Sequence, residues 1–206
     1  MRIEADSVLW STSEEDRVDR PLLVMLHGHG LNETVGFDLR HALPVALVLA
    51  SIRAPLRTGT GYSWFPLDAS LTLNQLEEST DAVLDWLDRL PPAPSIGLLG
   101  FSQGAATAFQ VLRRRPDAFA YAVNLAGFVV PFPAAGDAAV AGRRPPTFWG
   151  RGERDRVIPS PLVTSTRDWL RRHTELTEKI YPNLGHNVSE SELADLSAFL
   201  AAQIHP

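Results

Sequence analysis

Ser102 is the residue of this chain most suited to chemistry. It lies between two glycines in Gly100-Phe101-Ser102-Gln103-Gly104, a spacing that lifts a serine hydroxyl clear of the backbone at a sharp strand-to-helix turn. The pattern alone is weak, since roughly one chain of this length in fifteen carries G-x-S-x-G by accident. Its surroundings strengthen it. Ile96, Leu98 and Leu99 before it read as a buried strand, and Ala105, Ala108, Phe109 and Leu112 after it recur at helical spacing. The bland alternative is a tight turn whose serine caps the helix.

A serine hydroxyl attacks an ester only with a base within hydrogen-bond reach and a third group to orient that base. The chain has six histidines, at positions 27, 29, 41, 173, 186 and 205. In folds built around this elbow the chain order is serine, acid, histidine, which excludes the first three. His173 falls toward the end of an arginine-rich helix and His205 on a terminus, which leaves His186 in the loop Tyr181-Pro182-Asn183-Leu184-Gly185-His186. The acid is sought in the loop from Arg151 to Pro159, where Asp155 is the candidate and Glu153 its nearest rival. Either could instead be a surface acid paired with Arg151, Arg154 or Arg156.

The oxyanion formed on attack needs donors already aimed at it. The amide of Gln103, the residue after the serine, supplies one. The second is expected from the loop His27-Gly28-His29-Gly30, where glycines let the backbone approach closely. His27 and His29 also have the spacing of a metal-ligand pair. With no clustered carboxylate or third histidine beside them, a metal site is not expected.

The elements that must position these groups alternate. Strands are expected at Ser7–Trp10 (a short edge strand), Pro21–Leu26, Val45–Ser51, Ile96–Leu99, Tyr121–Leu125, Pro146–Gly150 and Leu176–Tyr181. The stretch from Arg53 to Ser70 reads as a long irregular loop of the kind that belongs to sites. Thr72-Leu73-Asn74-Gln75 has the form of a capping box opening a helix that ends before Pro91. Ser160-Pro161 opens another with serine at the cap, and Ser189–Glu192 caps a last helix carrying Leu193, Leu196, Phe199 and Leu200. Between them, a Pro- and Ala-rich stretch leading to Arg144 reads as loop. The alternation predicts a mostly parallel sheet with helices on both faces, in one domain over residues 1–206, with reactive groups beyond the carboxyl ends of the strands.

Composition sets the limits. A net charge of −5 argues against nucleic acid as a partner, and the run Arg113-Arg114-Arg115 is explained by its place at a helix end. The absence of cysteine removes disulfides and thiolate chemistry. No apolar run approaches the ~20 residues that cross a bilayer, and the acidic segment from Met1 to Asp19 lacks the pattern of a signal peptide. The expectation is a cytoplasmic protein without membrane insertion, with its oligomeric state, homodimer included, left open.

Taken together, these motifs resemble the carboxylesterase and acyl-protein thioesterase family of α/β-hydrolases. The resemblance runs from about Pro21 to Phe199 and rests on L-H-G-H-G at 26–30, R-A-P at 53–55, G-Y-S-W-F at 61–65 and G-F-S-Q-G at 100–104. L-A-G-F at 125–128, G-E-R-D-R-V-I-P at 152–159 and G-H at 185–186 complete it. It implies an α/β-hydrolase fold without a separate lid domain, a triad of Ser102, Asp155 and His186, and the amides of His29 and Gln103 as oxyanion donors. It further implies cofactor-free hydrolysis of small carboxylic esters or thioesters. The family usually has leucine where this chain has His29, and often an aspartate where it has Leu31. Position 29 serves through its backbone, so the oxyanion hole tolerates the change, whereas a polar ring at the pocket wall disfavours long acyl chains. Trp64, Phe65 and Phe128 are expected at the acyl or alcohol pocket, or else in the packing of their loops. A non-catalytic binding protein on the same fold, and an acyltransferase using the same triad, are the alternative readings.

Overall fold

A computed structural model describes residues 1–67 and 73–204. Nine strands are present among them: β1 (Val8–Trp10), β2 (Leu22–Leu26), β3 (Val48–Ile52), β4 (Leu56–Thr58), β5 (Gly61–Ser63), β6 (Ile96–Phe101), β7 (Tyr121–Leu125), β8 (Pro146–Gly152) and β9 (Glu175–Tyr181). The helices are α1 (Glu33–Asp38), α2 (Leu73–Leu87), α3 (Gln103–Arg114), α4 (Asp137–Arg143), α5 (Ser160–His173) and α6 (Glu190–Ile204). Seven strands form one sheet in the order β1-β3-β2-β6-β7-β8-β9, parallel except for β1, which pairs antiparallel with β3.

Every residue of β2, β3 and β7 is buried, which is why these segments read as continuous apolar runs: a strand covered on both faces has no side for polar residues. One face carries Val24, Leu98 and Trp149 under α2, α3 and α5. The other carries Met25, Leu99 and Phe148 under α6 and the segment before β3. Helix α3 runs through the interior, buried from Gln103 to Arg113 on all sides, because α2 and α4 cover the face turned away from the sheet. Its apolar stripe in the sequence is narrower than its burial.

Several boundaries differ from the sequence reading. Val45 is 90% exposed and precedes β3, since Leu47 is the first residue of that run to meet the core. The stretch expected to be irregular from Arg53 contains the hairpin of β4 and β5, and α4 lies within the expected Pro/Ala loop. Ser160 is the first residue of α5 rather than its cap; the cap is Pro159, and no side chain bonds the free amides there. Thr72 of the expected capping box lies outside the described residues, as does His205. Among the described residues no segment forms a separate lid, and no helix is long and apolar enough to cross a membrane.

The topology places the site. β2 and β6 are neighbours, with Leu26 paired to Gly100, so the loops that follow them emerge side by side where the direction of strand addition reverses. β8 and β9 are neighbours too, with Gly152 paired to Tyr181. Their loops carry Asp155 and His186 to the same edge of the sheet.

Candidate active site

Ser102 occupies φ 53° and ψ −117°, a region that non-glycine residues adopt at a cost of about 1–3 kcal/mol. Its amide donates to the Leu125 carbonyl at 2.9 Å, which locks the turn to β7. The two flanking glycines follow from the tightness of that turn. A Cβ at Gly100 would overlap the Ala105 backbone, and one at Gly104 would overlap the carbonyls of Leu26 and His27. The serine side chain makes no capping bond to α3, so the bland alternative does not describe it. Its Oγ lies 2.8 Å from His186 Nε2 instead.

The chain of contacts continues through the ring. His186 Nδ1 is 2.9 Å from Asp155 Oδ2, and Asp155 Oδ1 accepts the Val157 amide at 2.9 Å. A carboxylate only accepts, so Nδ1 carries the proton and Nε2 presents its lone pair to the serine hydroxyl. Asp155 is buried while Glu153 is exposed. The structure therefore brings Ser102, His186 and Asp155 together and leaves Glu153 outside. His173 is occupied elsewhere, its Nδ1 bonded to the Trp169 carbonyl at 2.7 Å.

The loop from His27 to Gly30 is held by a residue whose role the sequence did not disclose. His27 is buried, with Nδ1 bonded to the Gly28 carbonyl at 2.7 Å and Nε2 accepting the Ala54 amide at 3.0 Å. A carbonyl cannot donate and an amide cannot accept, so this tautomer is fixed and no lone pair remains for a metal. Burial lowers the pKa of the ring, with the Gly28 bond only partly opposing it, and the ring is neutral. Once the Gly28 carbonyl is held by His27, the amide of His29 is turned away from the loop. Among the described residues, neither that amide nor the Gln103 amide, first in α3, donates to another protein group. His29 and Ser102 line the same cleft, and Gln103 follows Ser102 directly.

Trp64, Phe65 and Phe128 are 0%, 1% and 6% exposed and pack in the core; none lines the cleft around Ser102. The pocket-lining expectation for them gives way to a structural one, because their rings are consumed by the interior. Trp64 Nε1 donates to the His27 carbonyl at 2.8 Å. The Gln103 side chain accepts the Trp64 amide at 3.0 Å and donates to the Phe65 carbonyl. The pair thus fastens the β5 end to both the His27 loop and the start of α3. Arg53 of the R-A-P motif grips buried Glu33 with two guanidinium nitrogens. Burial alone would raise the Glu33 pKa, but the Arg53 bonds hold it below the usual carboxylate range. That anchors the start of α1.

A cleft of about 620 Å³ opens beside Ser102 and His186. Leu31, Val35, Leu39, Leu99 and Leu193 give it an apolar wall. No group of three or more His, Cys, Asp or Glu residues placed to hold a metal occurs among the described residues.

A sequence model of the phospholipase/carboxylesterase family matches residues 11–204. The chain belongs to that family. Among curated relatives it is 27% identical over 142 residues to acyl-protein thioesterase 1 of Saccharomyces cerevisiae, a match covering 67% of this chain and 63% of the relative. It is 32% identical over 111 residues to an uncharacterised hydrolase of Mycosarcoma maydis, covering 46% and 42%. The match thus spans less than two thirds of either relative's length. Among solved structures, the carboxylesterase of Bacillus cereus superposes with a TM-score of 0.78 at 18% identity, over 95% of this chain and 93% of the other. Acyl-protein thioesterase 2 of Zea mays superposes with a TM-score of 0.77 at 21% identity, over 96% and 98%. These likenesses establish the α/β-hydrolase fold of the family, with its mostly parallel sheet and flanking helices.

Proposed function

We propose that the protein is a serine hydrolase that cleaves short to medium acyl or aryl carboxylic esters, and thioesters by the same steps. One observation carries this reading: the unbroken run of hydrogen bonds from Asp155 through His186 to Ser102 Oγ. Ser102 Oγ attacks the acyl carbonyl carbon as His186 Nε2 takes the hydroxyl proton. Asp155 holds the ring in the tautomer this requires and stabilises the imidazolium that results. The negative oxygen of the tetrahedral intermediate is received by the amides of His29 and Gln103. The C–O or C–S bond then breaks, and His186 returns its proton to the leaving alcohol or thiol. Water attacks the acyl-enzyme through the same base, releasing the acid and restoring the serine hydroxyl. No step calls for a metal or cofactor.

The apolar wall beside Ser102 suits an acyl chain, and its volume suits a small substrate. Thioester cleavage accords with the name of the yeast relative. A cytoplasmic setting accords with a sequence that has no cysteine and therefore no disulfide.

The test is turnover of p-nitrophenyl esters of increasing acyl length, with thioesters in parallel, by the wild type and by Ser102→Ala. The variant is expected to lose on the order of 10⁴-fold or more in kcat, and a fluorophosphonate probe is expected to label wild type alone. Equal turnover by the two proteins would remove Ser102 from the mechanism. An intact, unlabelled wild type without turnover would favour a binding protein on this fold.

A further inference from the structure

Glu192 is a buried carboxyl that the proposed mechanism leaves unused. It lies on the first turn of α6, is 0% exposed, and neither of its carboxyl oxygens has a hydrogen-bond partner among the described residues. A capping-box acid would reach back to the Ser189 amide. Here the Ser189 backbone gives the charged form less support than burial takes from it, while the Ser189 hydroxyl accepts the Glu192 amide at 3.2 Å. A buried polar group left in this way is costly, so its place in the fold calls for a reason.

That place is where the two loops of the triad meet. The carboxyl lies against Gly150 near the end of β8, where an added Cβ would overlap its Oε1. The Gly150 carbonyl accepts the Ala126 amide at 2.8 Å, and the Leu125 carbonyl accepts the Ser102 amide at 2.9 Å. Two residues beyond Gly150, a Cβ at Gly152 would overlap the carbonyls of Leu184 and Gly185. The Glu153 and Arg154 amides donate to the Tyr181 and Leu184 carbonyls at 3.0 and 2.9 Å, which stitches the acid loop to the histidine loop. From His186 the chain runs through Ser189 straight into α6, and Leu193, next to Glu192, lines the cleft with His186. One side chain therefore touches the strand that leads to Asp155 and belongs to the first turn of the helix that His186 leads into.

A charge at this point has little to balance it. Asp195, one turn along α6, repels it, and Glu190 is an exposed acid of the same helix. On β9, Lys179 and the Tyr181 hydroxyl are bonded to Asp195 at 3.4 and 2.9 Å. β8 offers Gly150 and Phe148, and β7 offers Tyr121, whose ring meets Phe199 two turns farther on. The helical turn Leu39–Ala42 packs on α6 with Arg40, which is paired to Asp38, and exposed His41. Asp155 and His186 are bonded to each other. Burial dominates, and it pushes the Glu192 pKa up to about 7.

We propose that Glu192 is a positioning residue for Asp155 and His186: uncharged, it lets α6 close on β8 and keeps the two loops in register, and its ionisation loosens that contact and slows the reaction. The inference rests on the hydrolase reading. A buried carboxylate must draw water in or move off Gly150 to reach it. Displacing either loop by about 1 Å spoils the alignment of His186 with Ser102.

The experiment compares wild type with Glu192→Gln, which has the acid's shape and no titration. kcat for p-nitrophenyl acetate is measured from about pH 5.5 to about pH 9, with near-ultraviolet circular dichroism at each pH. Both proteins are expected to gain rate as His186 loses its proton. Wild type is then expected to lose at least about threefold in kcat between about pH 7 and pH 9 with its dichroism unchanged, while Glu192→Gln holds its plateau. A second readout needs no turnover: the proton NMR signal of His186 Nδ1–H, assigned by its loss in Asp155→Asn. That signal is expected to shift or weaken over the same range in wild type and to stay fixed in Glu192→Gln. This NMR contrast without turnover in either protein would overturn the hydrolase reading and leave the positioning role standing. No alkaline loss in wild type, the same loss in both proteins, or a variant slowed by one factor at every pH would overturn the positioning role. So would a loss that tracks the dichroism, or an NMR signal indifferent to residue 192.

Discussion

Asp155 Oδ2 lies 2.9 Å from His186 Nδ1, while its other oxygen is held by the amides of Val157 and Ile158. The carboxylate is thus fixed from one side by its own loop and presents a single acceptor to the ring. Asp155→Asn keeps the shape but offers either an amide N–H or an uncharged oxygen where the imidazole needs an anion. On the pattern established for such triads, kcat for p-nitrophenyl acetate is expected to fall on the order of 10⁴-fold, with the melting temperature little changed. A loss under tenfold would show that Asp155 is a structural acid.

A second relationship holds the loop proposed to supply an oxyanion donor. The Gly28 carbonyl is held by His27 Nδ1–H, and the His27 carbonyl is held by Trp64 Nε1. His27→Phe keeps a ring in the core and removes both side-chain bonds, freeing the Gly28 peptide to turn. A misplaced donor costs about as much as a missing one, so kcat is expected to fall about 10²-fold or more with KM changed far less. His27 Nε2 accepts the Ala54 amide and so carries no proton in this structure, and burial lowers the pKa of the ring. The shape of the pH–rate profile above pH 6 is therefore expected to match wild type, which simple unfolding of the loop with exposure of the active site would not preserve.

The parts of the site most legible in the sequence were those whose chemistry constrains residue type and order together. Ser102, Asp155 and His186 each follow a strand end and occur in the order that the elbow requires, so reading along the chain reached groups the fold assembles across three loops. Trp64 and Phe65 show where such reading stops. Aromatic residues in a glycine-rich loop look the same whether they face a ligand or the core, and only three-dimensional packing shows that Trp64 is spent on the His27 carbonyl. His27 was hidden for a related reason: its function is exerted through backbone groups of Gly28 and Ala54, which leave no signature in residue type. Helix α4 was missed because its sequence, Asp137-Ala138-Ala139-Val140-Ala141-Gly142-Arg143, buries one side chain, Val140. Its position is set by the ion pair from Asp137 to Arg113 instead.

That ion pair carries its own expectation. The Arg113 side chain is 2% exposed and spends its donors on Asp137, Gln110 and the carbonyls of Val130 and Phe132. Helix-end electrostatics, the explanation suggested by the arginine run, is a minor part of this. Arg113→Met leaves Asp137 with the Trp169 indole and the Ala134 amide as its remaining donors and strands two carbonyls. Breaking one partner of a buried pair costs about 3–5 kcal/mol. Urea unfolding should show a drop of that order, whereas Arg114→Met, on the exposed side with Glu77 and Asp81, should change stability by less than about 1 kcal/mol.

Glu192 gives the fold a pH dependence of its own. Its side chain is buried on the first turn of α6 against Gly150 and Phe148, and among the described residues neither carboxyl oxygen has a hydrogen-bond partner. Burial pushes its pKa up to about 7 from an ordinary 4.5; the Ser189 backbone opposes this and the charge of Asp195 adds to it. A folded-state pKa above the unfolded one means that the fold favours the protonated acid. That contribution is complete below about pH 4.5 and is lost as pH rises to about 7, where the difference reaches about 3 kcal/mol. Glu192→Gln has the same shape and no titration. Relative to wild type it should gain about 2.5 kcal/mol between pH 5 and pH 8 in urea unfolding. A difference between the two proteins that stays constant over that range would mean that Glu192 is ionised in the fold throughout and has a partner for its charge.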